Sequence, residues 1–382
     1  MTGPLSDVRV VSFCQVGQGP MATQLLGDMG ADVIKIEPPG GEFSRAGNGL
    51  SMANELADDE NTTFLSVNRN KRSAVLDMTD EADREVVLDL IDDADVVTEN
   101  FRPGTMARLG LDYETLRERN PALVYASATG YGDDGPYEDL PGQDLLIQSL
   151  CGLMSMTGTA DDPPTPTGTT LVDFYSALLL AFGVVVAVHH SRRTGEGQRV
   201  NVDLLSSAMH LLSEEICTYA NSGNPPERSE VEGMGHPYFH APYGVYETAD
   251  GHITISLSPL SELGAVLGMD RLAEITSPET AYEERDALKR DLDSRFRERT
   301  TDEWIDQLRE ADVWCAPVQT LPEAVEDPQV RHNEMVTSVG HPTIGELRLA
   351  GIPIRFSETP GEIDRYPPRQ GEHTDEIRDM VE

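Results

Sequence analysis

The chain has 382 residues, 38% hydrophobic and 25% charged, with 67 acidic against 29 basic side chains and a formal net charge of −38 at pH 7. That length predicts two domains and a sizeable core, and the charge argues against nucleic acid or an anionic membrane surface as a partner. The acids are spread along segments that also carry apolar periodicity. This excludes a disordered acidic tail and points to a folded protein with an acidic surface, suited to high salt where screening lengths shrink to a few ångströms. Only three of the basic residues are lysine, at Lys35, Lys71 and Lys289.

Taken in order, Val8–Cys14 reads as a strand, followed by the glycine turn 16–20 and a helix in MATQLLGDMG. A second strand covers Asp32–Ile36 and ends at Glu37. Gly17, Gly19, Ala22 and an acid about 20 residues on match the dinucleotide fingerprint, although a small-residue turn also opens parallel sheets that bind no cofactor. Residues 38–62 read as a long loop. Strands are expected at Thr63–Val67, Ser73–Asp77, Asp95–Thr98 and Leu123–Ala128, with helices at Thr79–Ala94 and Tyr113–Arg119. The third of these strands runs into ENFRPG, and ligands bind at such carboxyl ends in open α/β sheets.

A helix through Leu150 follows PGQD, and the apolar run Phe174–Val188 reads as a buried helix, shorter than the roughly 20 residues that span a bilayer. Asn201–Asn221 is expected as one long helix leading out of the first domain. Asn224-Pro225-Pro226 marks a boundary. Beyond it come a hairpin of Tyr243–Thr248 and His252–Leu257, helices at Tyr282–Arg297 and Thr301–Ala311, and short strands at Leu347–Leu349 and Ile354–Phe356. The domain expectation is a large domain over 1–200, a linker helix over 201–224, a small domain over 225–330 and a return to the large domain over 331–382.

The chemistry narrows by elimination. Nine histidines include adjacent His189 and His190, but no HExxH, close Cys/His cluster, GxSxG elbow or Walker A motif occurs, so no metal site is expected. The four cysteines form no CxxC, and MTGPLSDVRVV has no signal-peptide pattern, which suggests buried thiols in a reducing cytoplasm. Carboxylates remain. Asp173 opens the long apolar helix, where it serves either as an N-cap or as a nucleophile. A helix N-terminus is expected to keep it ionised.

Several motifs together resemble the class III CoA-transferases, the family of formyl-CoA and carnitine CoA-transferases that also includes the α-methylacyl-CoA racemases. They are VGQGP…GADVIKIEPPGG, NRNKRSAVLDM, ENFRPGTMARLGL, ATGYGDDGPY, PGQDLLIQSLCGLMSMTG, the Asp173 stretch with SRRTGEGQRV, and HPYFHAPYGVYETADG. The resemblance runs from about residue 8 to 257. It implies an α/β fold with a Rossmann-like large domain and a smaller α+β domain, in an interlocked homodimer. It implies a catalytic Asp173, with Gln143 near the thioester. CoA contacts are implied at Gly17, Gln18, Leu76, Asp77, Met78, Asn100, Phe101, Arg102 and Arg108. Coenzyme A enters as a substrate, with no tightly bound cofactor.

Two departures bear on phosphate binding. Pro38 follows Glu37 where relatives often have arginine, and Pro141 stands where some have lysine, which makes Arg45 and Arg72 the candidates to neutralise CoA phosphates. The implied reaction moves CoA from an acyl-CoA to a free acid, with succinyl-CoA and mesaconate as a candidate pair. A racemase would need a histidine at or beside Gln143, which cannot act as a base. An NAD-linked oxidoreductase and a non-catalytic CoA-binding protein are the two more distant possibilities.

Overall fold

The computed structural model describes residues 3–45, 55–57 and 60–381. The chain forms two compact units, one of Met1–Ile147, Thr169–Leu211 and Asp327–Glu382, the other of Gln148–Gly168 and Leu212–Glu326. Residues 148–168, assigned from sequence to the first domain, therefore belong to the second unit. No linker helix spans 201–224. The strand Arg199–Asp203 is followed by helices Leu204–Leu211 and Ser213–Ser222. The alternating RVNVD takes a sheet position beside Val124–Thr129, and tertiary pairing overrides the helical reading of its last three residues.

The first unit is built on a six-stranded sheet ordered Lys71–Val75, Asp32–Glu37, Arg9–Ser12, Val96–Glu99, Val124–Thr129, Arg199–Asp203. Every pairing is parallel. Numbered by sequence this is 3-2-1-4-5-6, the doubly wound order of dinucleotide-binding sheets. Both faces are covered, so the strands are rich in buried Val, Ile and Ala. One face carries helices Gln18–Asp28 and Leu171–Thr194, whose Ala22, Leu26, Ala177, Leu180, Val184 and Val188 pack on Val10, Val33, Val96 and Val124. The other carries helices Glu81–Asp92 and Tyr113–Arg119 and, from the chain end, Ile377.

The chain end also covers the edge strand. His373 N–H donates to Ser73 O (2.9 Å) and Asn70 N–H to Arg365 O (3.0 Å). Such covering removes an exposed strand edge. Two expected strands are absent. Thr62–Leu65 is a helical turn, because Asn61 accepts the Thr63 N–H at 2.8 Å and caps it. Residues 354–356 lie outside any strand, since only Val336–His341 and Gly345–Ala350 pair there. Of the expected 38–62 loop, residues 46–54, 58 and 59 fall outside the described residues, while Glu55–Ala57 and Glu60–Asn61 pair as antiparallel strands.

The second unit has a three-stranded antiparallel sheet, Cys315–Pro317 beside His252–Ile255 beside Gly244–Glu247. Helices Leu260–Leu267, Arg285–Phe296 and Thr301–Glu310 pack on it through Leu263, Leu288, Leu292, Phe296 and Trp304. The expected 282–297 helix is broken at Glu284, separating Pro278–Glu283 from Arg285–Phe296.

All three lysines are buried. Lys35 bonds Glu42 (2.5 Å) and Cys14 O (2.6 Å). Lys71 bonds Pro20 O, Val67 O and Asn68 Oδ1. Lys289 bonds Asp293 (2.6 Å). In a second buried network, Asp28 accepts from Arg69 Nε (2.9 Å), Arg69 Nη2 (2.8 Å) and Asn70 Nδ2 (2.9 Å). Asp28→Ala strands that guanidinium, and chemical denaturation is expected to show a loss of about 3–5 kcal/mol.

Candidate active site

Ligand crevices in doubly wound sheets open where strand order reverses, here between Arg9–Ser12 and Val96–Glu99. Both strands run into turns at this point, Gln15–Gln18 and Asn100–Pro103. Together with residues 128–132, 138, 140–143 and Asp173 they line a cavity of about 520 Å³. The third wall depends on a glycine pair. A Cβ on Gly130 would lie 2.5 Å from Gly142 Cα, and one on Gly142 would lie 2.3 Å from Gly130 Cα. The loop between them closes on itself, which sets Gln143 and Asp144 beside the end of Val124–Thr129.

Asp173 is the third residue of the Leu171–Thr194 helix, not its cap. The cap position is Thr170, whose side chain makes no capping bond. The free amides of that end are taken by a different residue. Asp144 Oδ2 accepts from Val172 N–H at 2.8 Å and Asp173 N–H at 3.0 Å. The Asp173 carboxylate is thereby spared for the cavity, where Gly17 faces it. A Cβ on Gly17 would lie 2.6 Å from Asp173 Oδ2, so only glycine lets the turn approach this closely. Val16, just before it, has φ +69°, a left-handed conformation strained for a β-branched residue.

The expectation that the helix end holds Asp173 ionised is reversed. Burial, and then the nearby Asp144 carboxylate, push its carboxyl up to about 7. The dipole-bearing amides are already neutralised by Asp144, so little of their field reaches Asp173. Donors for an anion remain elsewhere. The N–H groups of Gly17, Gln18 and Gly19, at the start of the Gln18–Asp28 helix, bond to no described residue. Gln18 Nε2 is buried without a partner. Unspent amides at a helix start are suited to an oxyanion or an anionic ligand.

Of the residues singled out from sequence, Gly17, Gln18, Asn100, Phe101, Arg102, Gln143 and Asp173 line this one cavity. Leu76, Asp77, Met78 and Arg108 do not. Leu76 is core and Met78 packs against it. Asp77 accepts from Thr79 N–H and Oγ1–H, and Arg108 is exposed and donates to Thr105 Oγ1. Arg45 and Arg72 are not available to phosphate. Arg45 binds Glu37 bidentately (2.6 and 2.7 Å) and Pro368 O, and Arg72 is shared by Asp32 and Glu376. Glu37 also accepts from Ser73 Oγ (2.6 Å). Burial would raise its carboxyl, yet the Arg45 and Lys35 charges bring it below the usual range. Sequence reasoning missed the capping role of Asp144, because 28 residues separate it from the helix it caps.

Two outcomes follow. A buried Asp whose folded-state value is about 7 costs stability above its unfolded value near 3.8, increasingly up to pH 7 and fully beyond. Asp173→Asn should therefore raise the melting temperature at pH 8 and leave it almost unchanged near pH 4. Asp144→Asn keeps an acceptor for both amides and removes the charge, so the titration midpoint of Asp173, followed by 13C NMR of labelled carboxyls, should move down.

Comparison with known proteins identifies the family. The sequence profile of CoA-transferase family III matches residues 5–374. A succinyl-CoA:mesaconate CoA-transferase of Haloarcula hispanica is 38% identical, covering 99% of this chain and 96% of that protein. A succinyl-CoA:glutarate CoA-transferase of Mus musculus is 32% identical, covering 98% and 85%. The crystal structure of a CaiB/BaiF family protein from Brucella suis superposes with a TM-score of 0.86 at 31% identity over the full length of both chains. With a doubly wound sheet, a carboxylate at its switch point and a match over nearly its whole length, the chain belongs to CoA-transferase family III.

Proposed function

We propose that this CoA-transferase moves CoA from an acyl-CoA thioester to a free carboxylic acid through covalent intermediates on Asp173, with succinyl-CoA as donor and mesaconate as acceptor. The observation that carries the mechanism is the Asp173 carboxylate, held against Gly17 beside unspent backbone amides while Asp144 satisfies its helix end. The substrate pair rests on the relatives from Haloarcula hispanica and Haloarcula marismortui, at 38% and 37% identity.

An Asp173 oxygen attacks the thioester carbonyl. The C–S bond breaks, giving a mixed anhydride and CoA thiolate. The thiolate attacks the aspartyl carbonyl and expels the donor carboxylate, leaving an aspartyl-CoA thioester. The acceptor carboxylate then attacks that thioester, and a second mixed anhydride forms as thiolate leaves. The thiolate attacks the acceptor's acyl carbon and Asp173 departs as carboxylate. Each addition develops an oxyanion that the amides of residues 17–19 can stabilise. No external acid or base is consumed, and the reactive form of Asp173 is the ionised one.

A racemase requires a histidine, and none occurs among the described residues lining the cavity, where Gln143 stands. An oxidoreductase of the dinucleotide type requires Glu37 for a ribose, and Glu37 is committed to Arg45 and Ser73.

In the same reading the protein works as an interlocked homodimer. The Leu171–Thr194 helix, 24 residues and apolar enough in length and composition to cross a membrane, has 44% of its most apolar window buried. It is not the buried helix expected over Phe174–Val188. Phe174, Leu178, Phe182, Val185 and Val186 form an exposed apolar stripe along it, Phe182 being 67% exposed, which a second copy would cover. The four thiols are free, which fits a reducing cytoplasm, and the acidic surface fits high salt.

Incubation with succinyl-CoA, trapping with hydroxylamine and mass spectrometric mapping should find the adduct at Asp173. Asp173→Ala should lower transfer at least about 10³-fold while the protein stays folded. α-Deuterium exchange without transfer would establish the racemase instead. Because CoA and the protein are both polyanions, the KM for acyl-CoA should fall as KCl rises from 0.1 M toward about 1 M, where screening lengths drop to about 3 Å. A rising KM would count against the salt-adapted reading.

A further inference from the structure

Asn100 sits at the switch point of the sheet, and both of its polar atoms are engaged. Gln15 N–H donates to Asn100 Oδ1 at 2.8 Å, and Asn100 Nδ2 donates to Gln15 O at 2.8 Å. A carboxamide has the donor and acceptor of a peptide group, and here it substitutes for one. The backbone ladder between the two central strands last appears as Phe13 N–H to Thr98 O (2.8 Å). The Asn100 side chain continues it one step past the strand ends, where the main chains have separated.

What this bridge holds is the strained part of the site. Gln15 is followed by Val16 at φ +69° and by Gly17, whose absent Cβ lets the turn meet Asp173 Oδ2. A residue in the left-handed region at a β-branched side chain persists only where its surroundings over-determine it. Asn100 supplies that restraint on one side. On its own side the 100–101 turn is fixed by Glu99, 7% exposed, which accepts Phe101 N–H at 2.9 Å. Packing adds to it, since a Cβ on Gly19 would meet Cys14 Sγ at 2.4 Å and Asn100 Cβ at 3.5 Å.

We propose that Asn100 is a positioning residue for the transfer reaction, holding the Gln15–Gly17 turn so that the amides of residues 17–19 stay in register with the Asp173 carboxylate. This rests on the transferase reading and differs from the CoA contact that the sequence resemblance implies for the same residue. A CoA ligand acts through substrate affinity. A positioning residue acts through the chemical step and through the environment of Asp173, because a loosened turn admits water to a carboxylate whose carboxyl is held high mainly by burial.

The test is single-turnover formation of the hydroxylamine-trapped Asp173 adduct from succinyl-CoA, measured against pH and succinyl-CoA concentration in wild type and Asn100→Ala. The rate should fall on the order of 10²-fold, as expected when a reacting group is misplaced by about an ångström. Half-saturation by succinyl-CoA should change less than about twofold, and the pH midpoint should move down from about 7. A raised half-saturation with rate and midpoint intact would make Asn100 a CoA ligand and overturn the proposal, as would no change in any of the three. If Asn100→Ala does not fold, Asn100→Gln, which keeps an uncharged carboxamide but displaces it by one methylene from Gln15, should show a smaller fall in rate with half-saturation unchanged; an effect on half-saturation alone again overturns it. Absence of an adduct in wild type would be a failure of the transferase reading, separate from Asn100.

Discussion

The site depends on one carboxylate satisfying a helix end so that another need not. Asp144 takes the amides of Val172 and Asp173 with a single oxygen, in the way an N-cap residue would. Had Asp173 capped its own helix, its oxygens would be turned onto its own backbone and stabilised as an anion, which makes a carboxylate a poor nucleophile. Instead it faces Gly17 from a site that raises its carboxyl to about 7. A carboxylate less stabilised in its resting state gives up less on attacking a thioester. The same Asp144 charge contributes to the rise, so the residue that caps the helix also acts on the Asp173 carboxyl.

The sheet order determines where this can be built. Reversal of strand order between Arg9–Ser12 and Val96–Glu99 leaves two turns that diverge above the sheet, and such divergence leaves backbone groups without ladder partners. Asn100 satisfies those of Gln15, while the amides of Gly17, Gln18 and Gly19 bond to no described residue. The Gly130–Gly142 contact then closes the remaining side and delivers Asp144 to the helix it caps. Three local devices, a side-chain bridge, a strained turn and a glycine crossing, thus converge on the position of one carboxylate.

Much of this is legible in the sequence and some is not, for identifiable reasons. The strands at 9–12, 32–37 and 96–99 follow from apolar runs bounded by glycine and acid, and ENFRPG marks a carboxyl end correctly. The helical turn at Thr62–Leu65 reads as strand because β-branched and aromatic residues suit one, and a single Asn61 cap decides otherwise. Residues 201–203 read as the start of a helix because the strand partner of Arg199–Asp203, Val124–Thr129, lies about 75 residues away. Asp144 and Asn100 both stand within recognisable motifs, yet their partners Val172 and Gln15 are distant in sequence. No periodicity reports a side chain that bonds another segment's backbone.

The distribution of cations follows from the same electrostatics. With 67 acids against 29 bases, each cation is matched by more than two carboxylates, so a cation meant for a ligand competes with many intramolecular partners. Arg45 and Arg72, plausible for phosphate by sequence position, are captured by Glu37, Asp32 and Glu376 and hold the sheet edge instead. The lysines are withdrawn altogether, each buried against carbonyl or carboxylate oxygens. A compact, strongly hydrated ammonium gains most where three oxygens replace its water, and Lys71 finds three. Arginine is left for the rest of the molecule, and of the basic residues singled out for CoA only Arg102, on the wall of the cavity, has a guanidinium that makes no hydrogen bond or ion pair with a described residue. In so acidic a chain a guanidinium stays uncommitted only where no carboxylate reaches it, whereas backbone amides such as those of residues 17–19 carry no countercharge and can remain unspent without that condition.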